Sequence, residues 1–145
     1  MNDTSNNLIT WNKYLEDINL PHQSSIHDYC YQNTDTALQV LSNFHPDYVS
    51  NFWIGPGWIP IVLELHLQLS KIDPHYVIYQ IKEKFGGLRF YAESINPIYA
   101  DTFDSLISAA ETKSLSICEL CSSPANVMKD NYLYRTLCAG CKQPK

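Results

Sequence analysis

The stretch "YQIKEKFGGLRFYAE", residues 79–93, decides the fold because two runs of β-forming residues flank a Gly-Gly pair. A tight hairpin with Gly86 and Gly87 as its loop residues would pair Phe85 with Leu88. Because side chains alternate along a strand, this register places one set of residues on the hairpin face that would pack against a core. Apart from Glu83, that set is apolar, and its apolar members are Ile81, Phe85, Leu88, Phe90 and Ala92. A helix that ends at Gly86 is the alternative for the first half of the stretch, and the segregation favours the hairpin.

The opposite face of this hairpin is polar and rich in cations. Its residues are Gln80, Lys82, Lys84, Arg89, Tyr91 and Glu93. A solvated polar surface is one interpretation of this face. The other is a contact surface for a carboxylate or a phosphate, which an arginine can grip in two places. We predict the second, with Lys82, Lys84, Arg89 and Tyr91 as partner-binding residues.

Length and composition limit the class of protein. A chain of 145 residues that is 45% hydrophobic is long enough for one compact core with a small appendage. A formal net charge of -5 argues against wrapping duplex DNA and accommodates a basic partner more easily. No apolar run approaches the ~20 residues of a membrane span, and the first residues lack the pattern of a signal peptide. We therefore expect a cytoplasmic protein, not bound to a membrane, whose cysteines are free thiols.

Helical periodicity surrounds the hairpin. Apolar residues recur at helical spacing in segments that contain Trp11, Leu38, Leu65 and Ile107, whereas residues 22–33 show no clear period and are expected to form a loop. The sequence thus predicts an α+β fold, with helices packed on a small antiparallel hairpin or sheet. We expect a disordered tail over residues 1–7, a core domain over residues 8–115 and a zinc-ribbon-like module over residues 116–145.

The cysteines near the C-terminus are the strongest chemical signal. "CELC" at Cys118 and Cys121 is followed, after sixteen residues, by "CAGC" at Cys138 and Cys141. Each two-residue gap lets the chain turn and aim both sulfurs at one point, which is the spacing of a structural zinc site. An iron–sulfur cluster is the alternative occupant, but this spacing favours Zn²⁺. We therefore predict a structural Zn²⁺ ion on these four thiolates, with a β-hairpin between the pairs.

The remaining candidates for chemistry are weak. Cys30 lies near His22 and His27, but a structural thiol is the better interpretation than a nucleophile with a histidine base. No histidine has the spacing of a metalloprotease, and no phosphate-binding glycine loop is present. An enzyme that uses Glu83, Arg89 and a tyrosine is a remaining possibility. We predict a protein that is not an enzyme.

Four segments together resemble a family of small, largely uncharacterised proteins of bacteria and their phages. They are "GPGWIPIVLELHLQL", "DPHYVIYQIKEKFGGLRFY", "AAETKSLSICELC" and "TLCAGC", all within residues 55–141. The resemblance carries over to these residues: Trp58, Lys82, Glu83, Lys84, Phe85, Gly86, Leu88, Arg89, Tyr91, Cys118, Cys121, Cys138 and Cys141. Relatives often end with a histidine near the last ligand, where this chain has Cys141, and zinc is expected with either ligand. The resemblance implies a bacterial or phage origin and no established activity.

Two functions compete on these grounds. Small size, acidic balance, many aromatic residues and the absence of an assembled catalytic set predict a non-catalytic protein-binding inhibitor. It would be an immunity protein that neutralises a basic toxin, or a phage anti-defence protein that blocks a host defence protein. The alternative is a nucleic-acid-binding accessory module, in which Lys129, Tyr134 and Arg135 extend the basic hairpin.

Overall fold

The computed structural model describes residues 4–17, 25–49 and 51–142 and has an α+β architecture. Its α-helices are α1 (Thr4–Asp17), α2 (Ile26–Gln32), α3 (Thr34–Ser42), α4 (Ile59–Ile72) and α5 (Ala100–Ser114). Its strands are β1 (Phe52–Trp53), β2 (Val77–Lys84), β3 (Gly87–Glu93), β4 (Asn126–Asp130) and β5 (Leu133–Leu137). The fold class predicted from the sequence is confirmed.

The strands form two separate sheets. The first has the order β1-β2-β3, with β1 parallel and β3 antiparallel to β2, and the second is the antiparallel pair of β4 and β5. One face of the first sheet belongs to the same buried cluster as residues of α4 and α5. Its buried residues are Ile78, Ile81, Leu88 and Phe90. The β2–β3 hairpin therefore exists as predicted and docks on the helices through its apolar face.

The register of this hairpin differs by one residue from the predicted one. Lys84 pairs with Gly87, so the two loop residues are Phe85 and Gly86 rather than the two glycines. Both have positive φ, 55° and 83°, as the favoured two-residue hairpin turn requires. Gly87 instead enters the strand, where a Cβ would lie 3.0 Å from Leu115 Cδ2. Phe85 was expected to face the core, but its place in the turn leaves it 64% exposed.

Helix α4 lies at the centre of the core. Pro60 occupies its first turn, where a missing N–H removes no helical hydrogen bond. Trp58, Leu65 and Leu69 are fully buried along the stripe that the periodicity predicted. None of the helices in the described ranges is long and apolar enough to cross a membrane.

Helix α5 protects the free edge of β3. Ser114 Oγ accepts a 2.9 Å hydrogen bond from the backbone N–H of Leu88, and Glu111 Oε2 accepts one of 3.0 Å from the N–H of Phe90. An edge strand otherwise presents unpaired N–H groups to other chains. These two side chains therefore close part of the edge against such pairing.

The N-terminal region contains more helix than the sequence suggested. Helix α1 begins at Thr4, so residues 4–7 are not the tail that we expected, and Asn7 is buried with its Nδ2 donating to Ser42 Oγ at 3.1 Å. Helix α2 occupies part of the expected loop, because Ile26 and Cys30, one turn apart, both enter the core. Residues 1–3, 18–24 and 143–145 of the predicted segments lie outside the described residues.

Candidate functional site

The four C-terminal cysteines converge on one point. The sulfur atoms of Cys118, Cys121, Cys138 and Cys141 all lie within 4.8 Å of one another. The Sγ atoms of Cys121 and Cys138 are 3.5 Å apart. A tetrahedral site with metal–sulfur bonds of ~2.3 Å requires sulfur–sulfur distances of ~3.8 Å. The cluster therefore has the dimensions to hold a metal ion, as the spacing predicted, and its geometry is consistent with a zinc ribbon.

Local turns orient the sulfur atoms of the four cysteines toward one another. The N–H of Ser122 donates to the carbonyl oxygen of Cys118 at 3.0 Å, and the N–H of Cys141 donates to that of Cys138 at 3.2 Å. Each turn brings the two cysteines of one pair together, and pairing of β4 with β5 brings the two pairs together. Leu137 packs against the resulting cluster.

Burial makes four charged sulfurs unfavourable without a cation. It raises the pKa of Cys118, although hydrogen bonds from backbone groups of Cys138 and Cys121 act the other way. Burial also raises the pKa of Cys141. It acts to raise the pKa of Cys121 as well, but hydrogen bonds from Ser123 outweigh it and the pKa is lowered. A bound divalent ion supplies the missing positive charge and deprotonates coordinating thiols.

The first cysteine turn sits directly on the start of α4. The backbone N–H of Gly57 donates to the carbonyl oxygen of Glu119 at 2.9 Å, and Trp58 Nε1 donates to that of Ile117 at 2.8 Å. A Cβ at Gly57 would lie 2.1 Å from the carbonyl oxygen of Cys118. Glycine is required at this position because the two backbones approach too closely for any side chain.

A buried ion pair lies beside the cluster. Glu119 is buried, and its Oε1 pairs with the guanidinium of Arg135 from β5. Burial raises the pKa of Glu119, while the charge of Arg135 lowers it. The Oε2 atom of Glu119 has no hydrogen-bond partner within the described residues. Because Arg135 is engaged here, it is a structural residue, which weakens its predicted part in a nucleic-acid surface.

The four predicted partner-binding residues share the solvent side of the first sheet. Lys82 pairs directly with Arg89, Gln80 pairs with Tyr91, and Lys84 follows at the end of β2. None of these cations belongs to an ion pair within residues 4–17, 25–49 and 51–142. We call this surface the outer sheet face and define it by Trp53, Gln80, Lys82, Lys84, Arg89 and Tyr91.

Trp53 is a member of this face that the sequence did not predict. It pairs with Lys82 from the parallel strand β1 and is 68% exposed. The other tryptophans, Trp11 and Trp58, are 2% and 0% exposed. Trp53 is thus a largely exposed indole beside Lys82, in a chain that buries its other two indoles. Only the non-local pairing of β1 with β2 reveals this neighbour.

A second surface lies where the two hairpins meet. The rings of Phe85 and Tyr134 are in edge contact at 6.1 Å, with Lys84 Nζ 5.5 Å from the Phe85 ring centroid. A Cβ on Gly86 would lie 3.2 Å from Val127 Cγ1, so Val127 borders the same contact. The turn of the second hairpin adds exposed Tyr132, whereas Leu133 lies on the opposite face of β5 from Tyr134. We call this surface the hairpin-tip patch and define it by Phe85, Val127, Tyr132 and Tyr134.

The residues considered for catalysis are not brought together. Glu83 pairs with buried Leu88 and faces inward, where its Oε2 accepts a 2.8 Å hydrogen bond from the N–H of Gly86. Arg89, one residue along β3 from Leu88, faces the opposite side of the sheet. Glu83 and Arg89 therefore do not share a site.

Cys30 and His66 are buried structural groups. Burial raises the pKa of the Cys30 thiol to about 12, which opposes a role as nucleophile. His66 Nδ1 lies 2.8 Å from the Tyr76 hydroxyl, and its Nε2 lies 3.2 Å from Gln39 Oε1. Because Gln39 Oε1 only accepts, Nε2 carries the proton and Nδ1 accepts from Tyr76.

A comparison with protein-family models, curated proteins and solved structures finds no match to this chain.

Proposed function

We propose that this protein is a non-catalytic inhibitor that binds another protein, of the toxin-immunity or phage anti-defence type, and that Zn²⁺ stabilises its binding surface. The observation that carries the proposal is the hairpin-tip patch. Its apolar and aromatic side chains are exposed and include the contact between Phe85 and Tyr134, outside the buried core. Contiguous exposed apolar residues mark protein-binding surfaces.

Zinc fits the cysteine cluster best. Thiolates are soft ligands that select Zn²⁺ among the common divalent ions, and four of them complete its tetrahedral shell. A closed shell leaves no position for water, so the ion stabilises the fold and takes no part in a reaction. A segment as short as residues 116–142 buries too little apolar surface to fold without such a contribution.

The conformation of Phe85 supports a binding role for the hairpin-tip patch. A bulky residue at φ 55° is strained, and asparagine or glycine would occupy this turn position at lower free energy. The ring is 64% exposed, so burial does not offset the strain. A side chain kept where it lowers stability and faces solvent is expected at a contact site.

The distribution of charge suits a basic partner. Among the first 64 residues seven are acidic, and Lys13 is the one basic residue. An acidic surface of this kind attracts a basic toxin over distance and accelerates association. The hairpin-tip patch would then supply the short-range contacts that hold the complex.

Affinity capture from a lysate of the native host tests the proposal. The zinc-loaded tagged protein is compared with Phe85→Ser in the hairpin-tip patch and with Leu67→Ser, which alters another exposed apolar residue, on α4. We expect one protein partner in near-stoichiometric amount on the wild type and on Leu67→Ser, and at least tenfold less on Phe85→Ser. The partner's activity should fall when the wild type is added. Capture of no stoichiometric partner, or equal capture by both variants, would contradict the proposal.

A further inference from the structure

We propose that the outer sheet face binds single-stranded nucleic acid, with an unpaired base held among tyrosines and phosphates placed on the adjacent cations. The inference does not rest on the proposed inhibitor function, because Trp53, Lys82, Arg89 and Tyr91 lie outside the hairpin-tip patch. The sequence predicted that the last three of these residues contact a carboxylate or a phosphate, with a protein partner first and nucleic acid as the alternative. Their arrangement in the sheet favours the nucleic acid.

The cations and the indole form one row across three strands. Trp53 on β1 pairs with Lys82 on β2, and Lys82 pairs with Arg89 on β3. Neighbouring strands are ~4.8 Å apart, so the row spans ~10 Å on the solvent side. A phosphate at Lys82 and Arg89 therefore lies within reach of a base stacked on Trp53.

A cup of aromatic residues lies next to this row. Tyr48, Tyr79 and Tyr91 line a depression of about 470 Å³ together with the amides of Asn51 and Gln80. The rings of Tyr48 and Tyr79 are in edge contact at 5.6 Å. Rings offer stacking surfaces, and side-chain amides can donate to and accept from the edge of a base. The pair Gln80 and Tyr91 is two residues along the strands from Lys82 and Arg89, which is ~7 Å.

The positive charges of the row favour a polyanion as its ligand. Lys82, Lys84 and Arg89 face solvent without a carboxylate among their cross-strand partners. Three acidic residues, Glu93, Asp104 and Glu111, line a neighbouring depression that includes Tyr79 and Tyr91, on the side away from the row. Glu93 stands at the far end of β3, where the Tyr79 hydroxyl donates to its Oε1 at 2.9 Å. Glu93 is four residues from Arg89, or ~13 Å, so it leaves the cation row attractive to phosphate.

The aromatic residues distinguish a single strand from a duplex. Bases in a duplex are stacked on each other, and only unpaired bases can lie against exposed rings. A net charge of -5 also disfavours the wide basic surface that a duplex requires. A local row of cations beside aromatic rings is the arrangement that binds single strands with little dependence on sequence.

Quenching of tryptophan fluorescence tests the inference, because Trp53 is the exposed indole and Trp11 and Trp58 are buried. The zinc-loaded protein is titrated with a single-stranded oligonucleotide of about 12 nucleotides, since single-strand sites span roughly 4–16 nucleotides. We expect saturable quenching that weakens about 20-fold between roughly 50 and 200 mM NaCl, if three cations contact phosphates.

Variants and competing ligands complete the experiment, with anisotropy of a labelled oligonucleotide as the readout. Trp53→Ala and Lys82→Ala should each lower affinity about fivefold or more. The controls Tyr31→Ala on α2 and Lys71→Ala on α4, which alter exposed residues elsewhere, should bind as the wild type does. No saturable binding at low salt, or wild-type affinity of Trp53→Ala and Lys82→Ala, would overturn the inference.

Three further ligands separate the possible occupants. A duplex of the same length and a mononucleotide should both bind much more weakly than the single strand. Poly-glutamate should not compete at matched charge. If the mononucleotide binds as tightly as the single strand, the depression lined by the tyrosines is a site for free nucleotides. If poly-glutamate competes, the outer sheet face is a site for an acidic protein. Either result would overturn the single-strand inference.

Discussion

The hydroxyl of Thr136, on β5 beside the cysteine cluster, donates a 2.6 Å hydrogen bond to the carbonyl oxygen of Gly86, in the turn of the β2–β3 hairpin. Both residues are buried. Through this contact the β4–β5 hairpin holds the turn that carries Phe85. A metal ion on the cysteine cluster would therefore support the hairpin-tip patch as well as the cysteine module.

Thr136→Val removes this hydrogen bond with little change in shape. We expect the free energy of unfolding to fall by about 1–3 kcal/mol, because the Gly86 carbonyl is left buried without its partner. Urea denaturation of the zinc-loaded protein measures the change. Thr102→Val, at an exposed position on α5, is the matched control and should change stability by less than about 0.5 kcal/mol. Equal stability of the two variants would show that the contact is not needed.

Gly57→Ala tests the contact between the cysteine module and α4. The new Cβ would lie 2.1 Å from the carbonyl oxygen of Cys118, and both backbones must move to admit it. We expect a loss of about 1–3 kcal/mol in stability and weaker metal binding. Thermal unfolding and competition with a zinc chelator measure the two effects. A variant with wild-type melting temperature and zinc affinity would contradict this docking geometry.

The sequence was sufficient to predict the features that depend on local spacing. It did not predict the features that depend on contacts between segments far apart in the chain. The cysteine cluster follows from two short turns and one hairpin, so the positions of the four cysteines sufficed. The inward face of the β2–β3 hairpin follows from alternation of apolar residues such as Leu88 and Phe90. Its loop was placed one residue late, because Phe85-Gly86 and Gly86-Gly87 both contain a glycine and only packing of Gly87 against Leu115 decides between them.

Short elements of secondary structure were also not predicted from the sequence. Helix α2 spans seven residues and presents only Ile26 and Cys30 to the core, which is too little for a periodic signal. Strand β1 spans two residues and owes its place to β2. Exposure of Trp53 follows from that pairing, so no local pattern could have separated it from Trp11 and Trp58.

Thiol reactivity should distinguish Cys30 from the four clustered cysteines. Cys30 is fully buried in the main core, and burial raises its pKa to about 12. With a thiol reagent at about pH 8, we expect no reactive cysteine in the zinc-loaded protein, because metal-bound and buried thiols are protected. A zinc chelator should expose four thiols, and denaturant should expose the fifth. In Cys30→Ser, denaturant should expose no further thiol. Reaction of Cys30 in the native wild-type protein would contradict its burial.

Protonation of His66 should make stability depend on pH. Burial lowers the pKa of His66 from 6.5 to about 4, so the unfolded chain binds a proton in a range where the folded protein does not. The free energy of unfolding should therefore be greatest above pH 6.5 and decline as pH falls toward about 4, by about 3 kcal/mol in total.

His66→Gln isolates this contribution. Acid also releases metal from both proteins, so the difference between their stabilities at each pH reports on His66 alone. Denaturation at a series of pH values should give a shallower slope for His66→Gln than for the wild type below pH 6.5. Identical slopes for the two proteins would rule out a histidine that stays neutral in the fold.

Native mass spectrometry of the species captured from the host lysate is the most direct test of a zinc-stabilised binding protein. We expect one assembly whose mass equals this chain, one Zn²⁺ in place of two protons, and one copy of a protein partner. Phe85→Ser should keep the zinc mass and lose the partner. A chain without zinc, a mass that indicates iron and sulfide, or a zinc-loaded chain that carries no partner would contradict the account.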